Sequence, residues 1–254
     1  MTKKLLNDRV ALVTGSSRGI GAAIAKRLAA AGAKVVVHGR DSEAMSTVQS
    51  DIDRAGGIAM QVQGDVTKFA DIEAMRAWIE GNLGPVDILV ANAGGNFTPP
   101  GPIESTSEEG WRASIEGNLT ATFLTLKCFL PGMRKRKRGN IITISSAAAR
   151  RPYAGAPIPY AAAKAGLIAL TRNVAAQVGP DGIRVNCIAP ETILTERNRE
   201  RIPETTQADL INGHPIRRLG TPADVADAAL YLVSDQSSWV TGIVLDVAGG
   251  SVLV

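Results

Sequence analysis

Cysteine and histidine are scarce in this sequence, with two of each among 254 residues. The two cysteines, Cys128 and Cys187, lie far apart, form no CxxC pair and have no paired histidines beside them. Neither a zinc site nor a disulfide framework is therefore indicated. We expect no metal site and a reducing, cytoplasmic setting.

Long hydrophobic runs are also missing. The longest apolar segments, such as VALV and GLIAL, fall far short of the roughly 20 residues that a transmembrane helix needs. The basic first residues lead into a short apolar stretch and then directly into glycine-rich sequence, unlike a signal peptide. We expect neither a membrane-spanning helix nor a signal peptide.

Charge of one sign does not dominate the chain. The formal net charge is +4, and much of the excess comes from one run, RKRKR at 134–138. Aromatic residues make up 4% of the chain, and no nucleic-acid recognition motif accompanies the basic run. These features argue against a nucleic-acid partner.

What the sequence does contain is a regular alternation of strand and helix patterns. Short β-branched runs alternate with stretches of helical periodicity, and no linker or repeat divides the chain. This order predicts one α/β domain over 1–254, a Rossmann-type doubly wound parallel sheet with helices on both faces. The predicted strands lie near 9–14, 34–38, 58–62, 86–92, 139–145, 183–189 and 242–247.

One irregular, charge-rich segment at 191–215 interrupts this alternation between a strand and a helix. It carries Pro203 and Gly213, and it predicts a small lid excursion over a functional site. An ordinary exposed helix pair is the alternative.

A glycine-rich segment, TGSSRGIG, follows the first predicted strand and precedes a helix. Glycines allow the backbone to turn sharply and approach a pyrophosphate, and the helix start attracts its negative charge. The GxxxGxG spacing differs from GxGxxG, so the match is one of mechanism, and a turn without ligand is the alternative. The predicted dinucleotide contacts here are Gly15, Ser17, Arg18, Gly19, Ile20 and Gly21.

The end of the second predicted strand favours NADP(H) over NAD(H). An acidic residue is expected here to bind the ribose 2′-hydroxyl of NAD, but the chain has Gly39 and Arg40, followed by Asp41. A guanidinium can donate two hydrogen bonds to the 2′-phosphate of NADP, and Arg18 could add a second cation. NAD(H) stays as the alternative, because Asp41 could rotate inward.

Tyr160 and Lys164 form a candidate acid–base pair. They stand at i and i+4 in YAAAK, after Pro159, so we expect them on one face of a helix. A nearby ammonium favours the phenolate, so we expect the pKa of Tyr160 to lie below its ordinary value of about 10. Tyr153 has no such lysine, and a structural or substrate-wall role is the better interpretation for it.

Several motifs in a fixed order resemble the short-chain dehydrogenase/reductase family over nearly the whole chain. Any one of them would be weak evidence, but the set is very specific. The motifs are TGSSRGIG, Asp65-Val66, Asn92-Ala93-Gly94, Asn118, ITISS at 142–146, YAAAK at 160–164, RVNCIAP at 184–190 and the final VTGIVLDVAGG.

The resemblance implies a hydride-transferring oxidoreductase that acts on a carbonyl or an alcohol. It places Asp65 and Val66 at the adenine and the Asn92–Gly94 turn along the cofactor. Its catalytic set would be Asn118, Ser146, Tyr160 and Lys164, with Tyr160 and Lys164 also contacting the cofactor, and the nicotinamide contacts would be Pro190, Thr192 and Ile193.

Two details depart from the family pattern. The catalytic serine usually stands thirteen residues before the tyrosine, which is Ala147 here, so we assign the role to Ser146 and expect Ser145 on the opposite face of the strand. The usual Pro-Gly is Pro190-Glu191. We expect Glu191 to point to solvent, with a role in substrate choice as the weaker alternative.

The substrate is less well defined. The basic run at 134–138 resembles that of 3-oxoacyl-carrier-protein reductases, whose basic residues near the site entrance meet an acidic acyl carrier protein. Against this, VAAQV at 174–178 lacks their Arg-Glu pair. A 3-oxoacyl thioester and a small alcohol, sugar or other ketone therefore both stay open.

Two further expectations concern function class and assembly. A non-catalytic NADP-binding regulator is a rival interpretation, but the intact Ser, Tyr and Lys set argues against it. The resemblance also implies a homotetramer that packs through the predicted helices near 107–130 and 159–179.

Overall fold

Seven strands run parallel in one sheet within residues 4–253, the part of the chain that the computed structural model describes. The strand order is β3-β2-β1-β4-β5-β6-β7. This confirms the predicted single-domain, doubly wound α/β fold. The strands are β1 Val10–Val13, β2 Lys34–Gly39, β3 Ile58–Gln63, β4 Ile88–Ala91, β5 Gly139–Ile144, β6 Ile183–Pro190 and β7 Val244–Val247.

Nine α-helices within the same described range connect or follow these strands. A π-helical turn, Glu116–Thr120, separates α4 from α5 in the segment that the sequence predicts as one helix. The helices are α1 Gly19–Ala30, α2 Ser42–Arg54, α3 Phe69–Asn82, α4 Glu108–Ile115, α5 Ala121–Arg136, α6 Ile158–Val178, α7 Glu196–Arg201, α8 Glu204–Asn212 and α9 Pro222–Val233.

Strand β1 shows why both faces of the sheet are covered. Its side chains alternate, so Ala11 and Val13 belong to one buried cluster while Val10 and Leu12 belong to the other. Residues of α1, α2 and α9 complete the first cluster, and residues of α3, α5 and α6 complete the second. A strand buried on both sides must be apolar throughout, which explains the continuous run VALV.

The topology places the functional site at one edge of the sheet. All seven strands are parallel, so the loops after their carboxyl ends meet at one edge. Strand β1 pairs with β2 on one side and with β4 on the other, so the order of the strands reverses at β1. Ligands of doubly wound sheets bind at such a switch point, outside the carboxyl ends of the strands.

The segment at 191–215 contains α7 and α8, and neither helix has a buried residue. An isolated bridge between Ile193 and Gly220 fixes the start of the segment beside the sheet. The segment therefore contains an exposed helix pair. Most of its residues from Glu191 to Arg201 border the site described below, which is the location that the predicted lid excursion requires.

The basic run at 134–138 lies at the opposite edge of the sheet from that site. It connects the end of α5 to the amino end of β5. Arg134 pairs with Asp181 just before β6, at 2.7 Å, and Arg138 pairs with Asp87 just before β4, at 3.5 Å. The expectation that this run lies near a site entrance is therefore wrong.

No helix within residues 4–253 combines the length and the apolar composition that crossing a bilayer requires.

Candidate active site

The glycine-rich loop turns tightly between β1 and α1. Gly15 has φ +65°, a left-handed conformation that strains other residues. A Cβ on Gly21 would lie 2.4 Å from the carbonyl oxygen of Gly15, so the loop closes only with glycine there. The amino end of α1 starts at Gly19, directly after the loop. This arrangement leaves backbone N–H groups and the positive end of the helix facing the cleft, as a pyrophosphate requires.

His38 supports this loop, and the sequence interpretation missed it. The N–H of Gly15 donates to His38 Nδ1 at 3.1 Å, and the N–H of Ser16 donates to the His38 carbonyl at 2.8 Å. The His38 N–H in turn donates to Ser16 Oγ at 2.9 Å. Burial lowers the pKa of His38 to about 4, so the ring is neutral near pH 7 and Nδ1 can accept. A polar residue inside the apolar strand KVVVHG was the available signal.

A cavity of about 500 Å³ continues from the loop toward the ends of β2 and β3. Asp65 accepts hydrogen bonds from the backbone and hydroxyl of Thr67, at 3.0 and 2.8 Å, and these bonds lower the pKa of its carboxyl group. Of the predicted cofactor contacts, Gly15, Ser17, Arg40, Asp65, Val66, Asn92, Ala93 and Gly94 border this cavity.

Asp41 does not border that cavity, because it is occupied as the N-cap of α2. Its side chain accepts from the N–H of Ala44 at 3.0 Å and also pairs with Arg18. The same contact with the Ala44 backbone is the main cause of the lowered pKa of Asp41. The inward rotation that would favour NAD(H) would break both contacts.

Asn92 fastens the turn after β4 to the glycine-rich loop. Its side-chain amide donates to the carbonyl oxygens of Thr14 and Gly15, at 2.9 and 3.0 Å. The Thr14 hydroxyl accepts from the backbone N–H groups of Asn92 and Ala93, each at 3.1 Å. These bonds brace the turn after β4 against the end of β1.

A second cavity, of about 810 Å³, shares Gly15, Ser17, Asn92 and Gly94 with the first one. The two cavities therefore adjoin at the glycine-rich loop, and the second one leads to the predicted catalytic residues. The predicted residues that border the second cavity include Arg18, Gly19, Ile20, Gly21, Ser146, Tyr160, Lys164, Pro190 and Ile193.

Lys164 is buried beneath this cavity with 4% of its surface exposed. Its Nζ donates to the carbonyl oxygen of Ile144 at 2.8 Å and lies 5.6 Å from the centre of the Tyr160 ring. Removal from water lowers the pKa of Lys164 to about 8. Helix α6 therefore carries both side chains on one face, as YAAAK predicts.

Tyr160 departs from the expected acidity. Burial raises its pKa above the ordinary value of 10, while the nearby Ser146 hydroxyl lowers it by less. Desolvation disfavours the phenolate, and here that effect outweighs the neighbouring groups. The expectation of a lowered pKa for Tyr160 is wrong in this structure.

The two candidate serines have different surroundings. The Ser145 hydroxyl is buried and donates to the carbonyl oxygen of Lys164 at 2.8 Å. The Ser146 hydroxyl accepts from the N–H of Ala148 at 3.2 Å, which leaves its own proton free to point into the cavity. This geometry favours Ser146 as a donor to a ligand and Ser145 as a structural clamp.

Asn118 and Thr192 do not border either cavity. Asn118 is buried within the π-helical turn and exchanges hydrogen bonds with the backbone of Gly95, each at 3.0 Å. Its amide also donates to the Ser114 carbonyl at 2.8 Å. The Thr192 hydroxyl donates to Glu191 Oε1 at 3.3 Å and borders a neighbouring cavity.

Glu191 does not point to solvent, so that expectation is wrong. Its side chain is 11% exposed and borders the catalytic cavity together with Tyr160. Tyr153 is 49% exposed and does not border this cavity.

The fold and this cleft define a dinucleotide-dependent oxidoreductase, and comparisons with known proteins give the family. A family model described as Enoyl-(Acyl carrier protein) reductase matches residues 15–251. The chain belongs to the short-chain dehydrogenase/reductase family, whose members use a nicotinamide cofactor to oxidise CH–OH groups or reduce carbonyl groups.

Two curated relatives from Escherichia coli K12 match almost the full chain. A 7alpha-hydroxysteroid dehydrogenase is 38% identical over 247 residues, which are 97% of this chain and 95% of the relative. A 3-oxoacyl-[acyl-carrier-protein] reductase is 38% identical over 246 residues, 97% of this chain and 98% of the relative. A solved 7alpha-hydroxysteroid dehydrogenase, complexed with NADH and 7-oxo glycochenodeoxycholic acid, superimposes with a TM-score of 0.92 and 38% identity, covering 98% and 97% of the two chains.

Replacing His38 should weaken dinucleotide binding through the loop that it supports. We expect His38→Leu to raise the Kd for the nicotinamide dinucleotide about 5-fold, because one backbone N–H loses its acceptor. His38→Asn should restore most of the affinity, because its side-chain oxygen can occupy the Nδ1 position. Fluorescence titration of the reduced dinucleotide measures both values. Equal affinity of the leucine variant and wild type, with equal thermal stability, would show that the contact is dispensable.

The buried Lys164 should make the stability of the protein without cofactor depend on pH. Its pKa is lowered from 10.5 to about 8, so between these values the unfolded chain binds more protons and the free energy of unfolding rises with pH. Between pH 7.5 and 9.5, we expect wild type to gain about 2 kcal/mol over Lys164→Met. Urea unfolding at both pH values measures the difference, and parallel pH dependence in both proteins would contradict it.

Proposed function

We propose that this protein is an NADP(H)-dependent oxidoreductase that interconverts a ketone and a secondary alcohol. The main support is that Ser146, Tyr160 and Lys164 border the cavity that continues from the glycine-rich loop. The cleft thus combines a hydrogen-bond donor, a proton source and a dinucleotide-binding loop. A carbonyl reduction requires all three. The residues present fit the cofactor, because the cleft extends from Arg40 and Asp65 to Tyr160.

The proposed mechanism uses the chain's own groups around a hydride transfer. The nicotinamide cofactor, when bound, supplies hydride to the carbonyl carbon in reduction and accepts it in oxidation. Ser146 Oγ donates a hydrogen bond to the carbonyl oxygen, where negative charge develops. Tyr160 donates the proton to that oxygen. Its raised pKa keeps the phenol protonated before the transfer, although it also makes the phenol a weaker acid.

The proton that Tyr160 gives up must be replaced. Lys164 lies one helical turn away, with a pKa lowered to about 8, so it can exchange a proton near neutral pH. We propose that Asn118 supports this resupply through its place in the π-helical turn, as the family resemblance implies. In the alcohol-oxidising direction the same groups act in reverse.

The NADP(H) assignment is supported by Arg40 on the cavity wall and by the N-capping role of Asp41. The NADH in the 7alpha-hydroxysteroid dehydrogenase structure favours the alternative for that relative. Arg18, which pairs with Asp41 here, would have to leave that pair to reach a 2′-phosphate.

Two substrate classes remain candidates. The similarity to a 3-oxoacyl-[acyl-carrier-protein] reductase favours a 3-oxoacyl thioester, and the similarity to a hydroxysteroid dehydrogenase favours a free alcohol or ketone. The position of the basic run at the far edge of the sheet removes the argument for an acyl carrier protein at the site entrance. A cytoplasmic homotetramer is proposed on the family resemblance.

Removing the Tyr160 hydroxyl should abolish most turnover. We expect Tyr160→Phe to lower kcat by about 10²–10⁴-fold, and Ser146→Ala by about 10²–10³-fold, while the matched Ser145→Ala retains far more activity. The assay compares a 3-oxoacyl thioester, simple ketones and sugars with NADPH and NADH. Near-normal turnover in Tyr160→Phe would refute the mechanism, and NADPH binding without turnover of any compound would favour a regulator.

Replacing Arg40 should change cofactor preference. We expect Arg40→Ala to raise the Kd for NADPH about 10- to 100-fold, because a charged hydrogen-bond donor to the 2′-phosphate is lost. The Kd for NADH, which lacks that phosphate, should change little. Titration with both cofactors checks this, and an equal effect on the two would show that Arg40 does not read the phosphate.

A further inference from the structure

Glu191 occupies a fixed position at the catalytic cavity. It follows the last residue of β6, and its N–H donates to the carbonyl oxygen of Val247 in β7 at 3.2 Å. Its backbone is therefore held beside the sheet, at the position where the family usually has glycine. Glu191 borders the same cavity as Ser146 and Tyr160, the space where we propose that a substrate reacts.

The carboxylate of Glu191 is incompletely satisfied by the protein. Oε1 accepts from the Thr192 hydroxyl at 3.3 Å, whereas Oε2 is buried and accepts no hydrogen bond from residues 4–253. The cation of Arg151 lies 3.8 Å from Oε2, beyond hydrogen-bond distance, on a side chain that is 49% exposed. Oε2 thus has an ion-pair contact with Arg151 but no hydrogen-bond donor, and a buried acceptor without a donor is costly. In native structures such groups often mark functional positions.

The charge of Glu191 also affects the pKa of Tyr160, the proposed proton donor. After burial, the causes that raise the pKa of Tyr160 include Tyr153 and the charge of Glu191. Glu191 similarly contributes to the raised pKa of Tyr153. These effects agree with the geometry, which places the carboxylate within the electrostatic surroundings of Tyr160.

The chemistry of the group limits what it can bind. A carboxylate accepts hydrogen bonds and donates none, so its partner must carry a hydroxyl or an N–H donor. It repels carboxylate and phosphate groups, and Arg151 already balances its charge in part. A neutral hydroxyl is therefore the best match. The cavity wall around it is also polar, with Asn96, Glu196, Arg197 and Asn198.

We propose that Glu191 is a specificity-determining residue that accepts a hydrogen bond from a hydroxyl group beside the reacting carbon of the substrate. The substrate class is then a vicinal diol or the corresponding hydroxy-ketone, as in polyols and sugars, and not an unsubstituted acyl chain. Because Oε2 is buried in this structure, the hydrogen bond requires a rotation that brings a carboxylate oxygen to the cavity surface. This inference rests on the proposed function, because the reacting carbon is defined by Tyr160.

The test compares cyclohexane-1,2-diol with cyclohexanol, which differ by one hydroxyl group. Wild type with NADP+ should show a kcat/KM about 10-fold higher for the diol, mainly through KM, because a hydrogen bond to a charged acceptor is gained. Glu191→Ala should lose this preference while its turnover of cyclohexanol persists. Glu191→Gln, which keeps an acceptor oxygen and the side-chain volume, should retain part of it.

Two controls separate the possible results. Glu200→Ala removes an exposed carboxylate of α7 that borders the same cavity, and it should leave the diol preference unchanged. Calorimetric binding of both alcohols to the NADP+-loaded protein gives a readout that needs no turnover. Glu191-dependent diol binding without turnover would support the specificity role and refute the proposed activity. No difference between wild type and Glu191→Ala, in turnover and in binding, would overturn the inference.

Discussion

The hydrogen bond from the buried Lys164 ammonium to the Ile144 carbonyl holds the catalytic cleft together. Ile144 is the last residue of β5, so this bond fixes α6 against the carboxyl end of the strand at 2.8 Å. The Ser145 hydroxyl returns a bond to the carbonyl oxygen of Lys164 at 2.8 Å. Tyr160 lies on α6, one turn before Lys164. Ser146 follows Ile144, the last residue of β5, by two positions. Burial disfavours the charged form of the ammonium, as its lowered pKa shows. The arrangement therefore lowers the free energy of unfolding.

The parts of this site that the sequence predicts are those that local patterns encode. The strands follow from apolar runs, the loop from glycine spacing, and the shared face of Tyr160 and Lys164 from helical geometry. His38, the acidity of Tyr160 and the orientation of Glu191 were missed or wrong because they depend on distant residues. His38 binds a loop residue 23 positions away, and the pKa of Tyr160 is set mainly by burial, which periodicity does not report.

Asn118 lies in an irregular turn of its own helix and binds a second turn that is distant in sequence. The sequence predicts one continuous helix near 107–130, but the helix widens into a π turn where Asn118 is buried. The side chain satisfies both the N–H and the carbonyl of Gly95, in the turn that follows β4. The π turn thus places a buried amide where it joins the helix to the turn after β4.

The turn after β6 keeps the proline of the family's Pro-Gly motif and replaces its glycine with Glu191. Pro190 ends β6 and borders the cleft, as the motif predicts for a residue that contacts the cofactor. In the proposed assignment the carboxylate of Glu191 selects the substrate, whereas Ser146, Tyr160 and Lys164 carry out the reaction. The carboxylate contacts none of the groups that hold Lys164 in place. Its charge nevertheless contributes to the raised pKa of Tyr160, so one side chain links substrate recognition to the acidity of the proton donor.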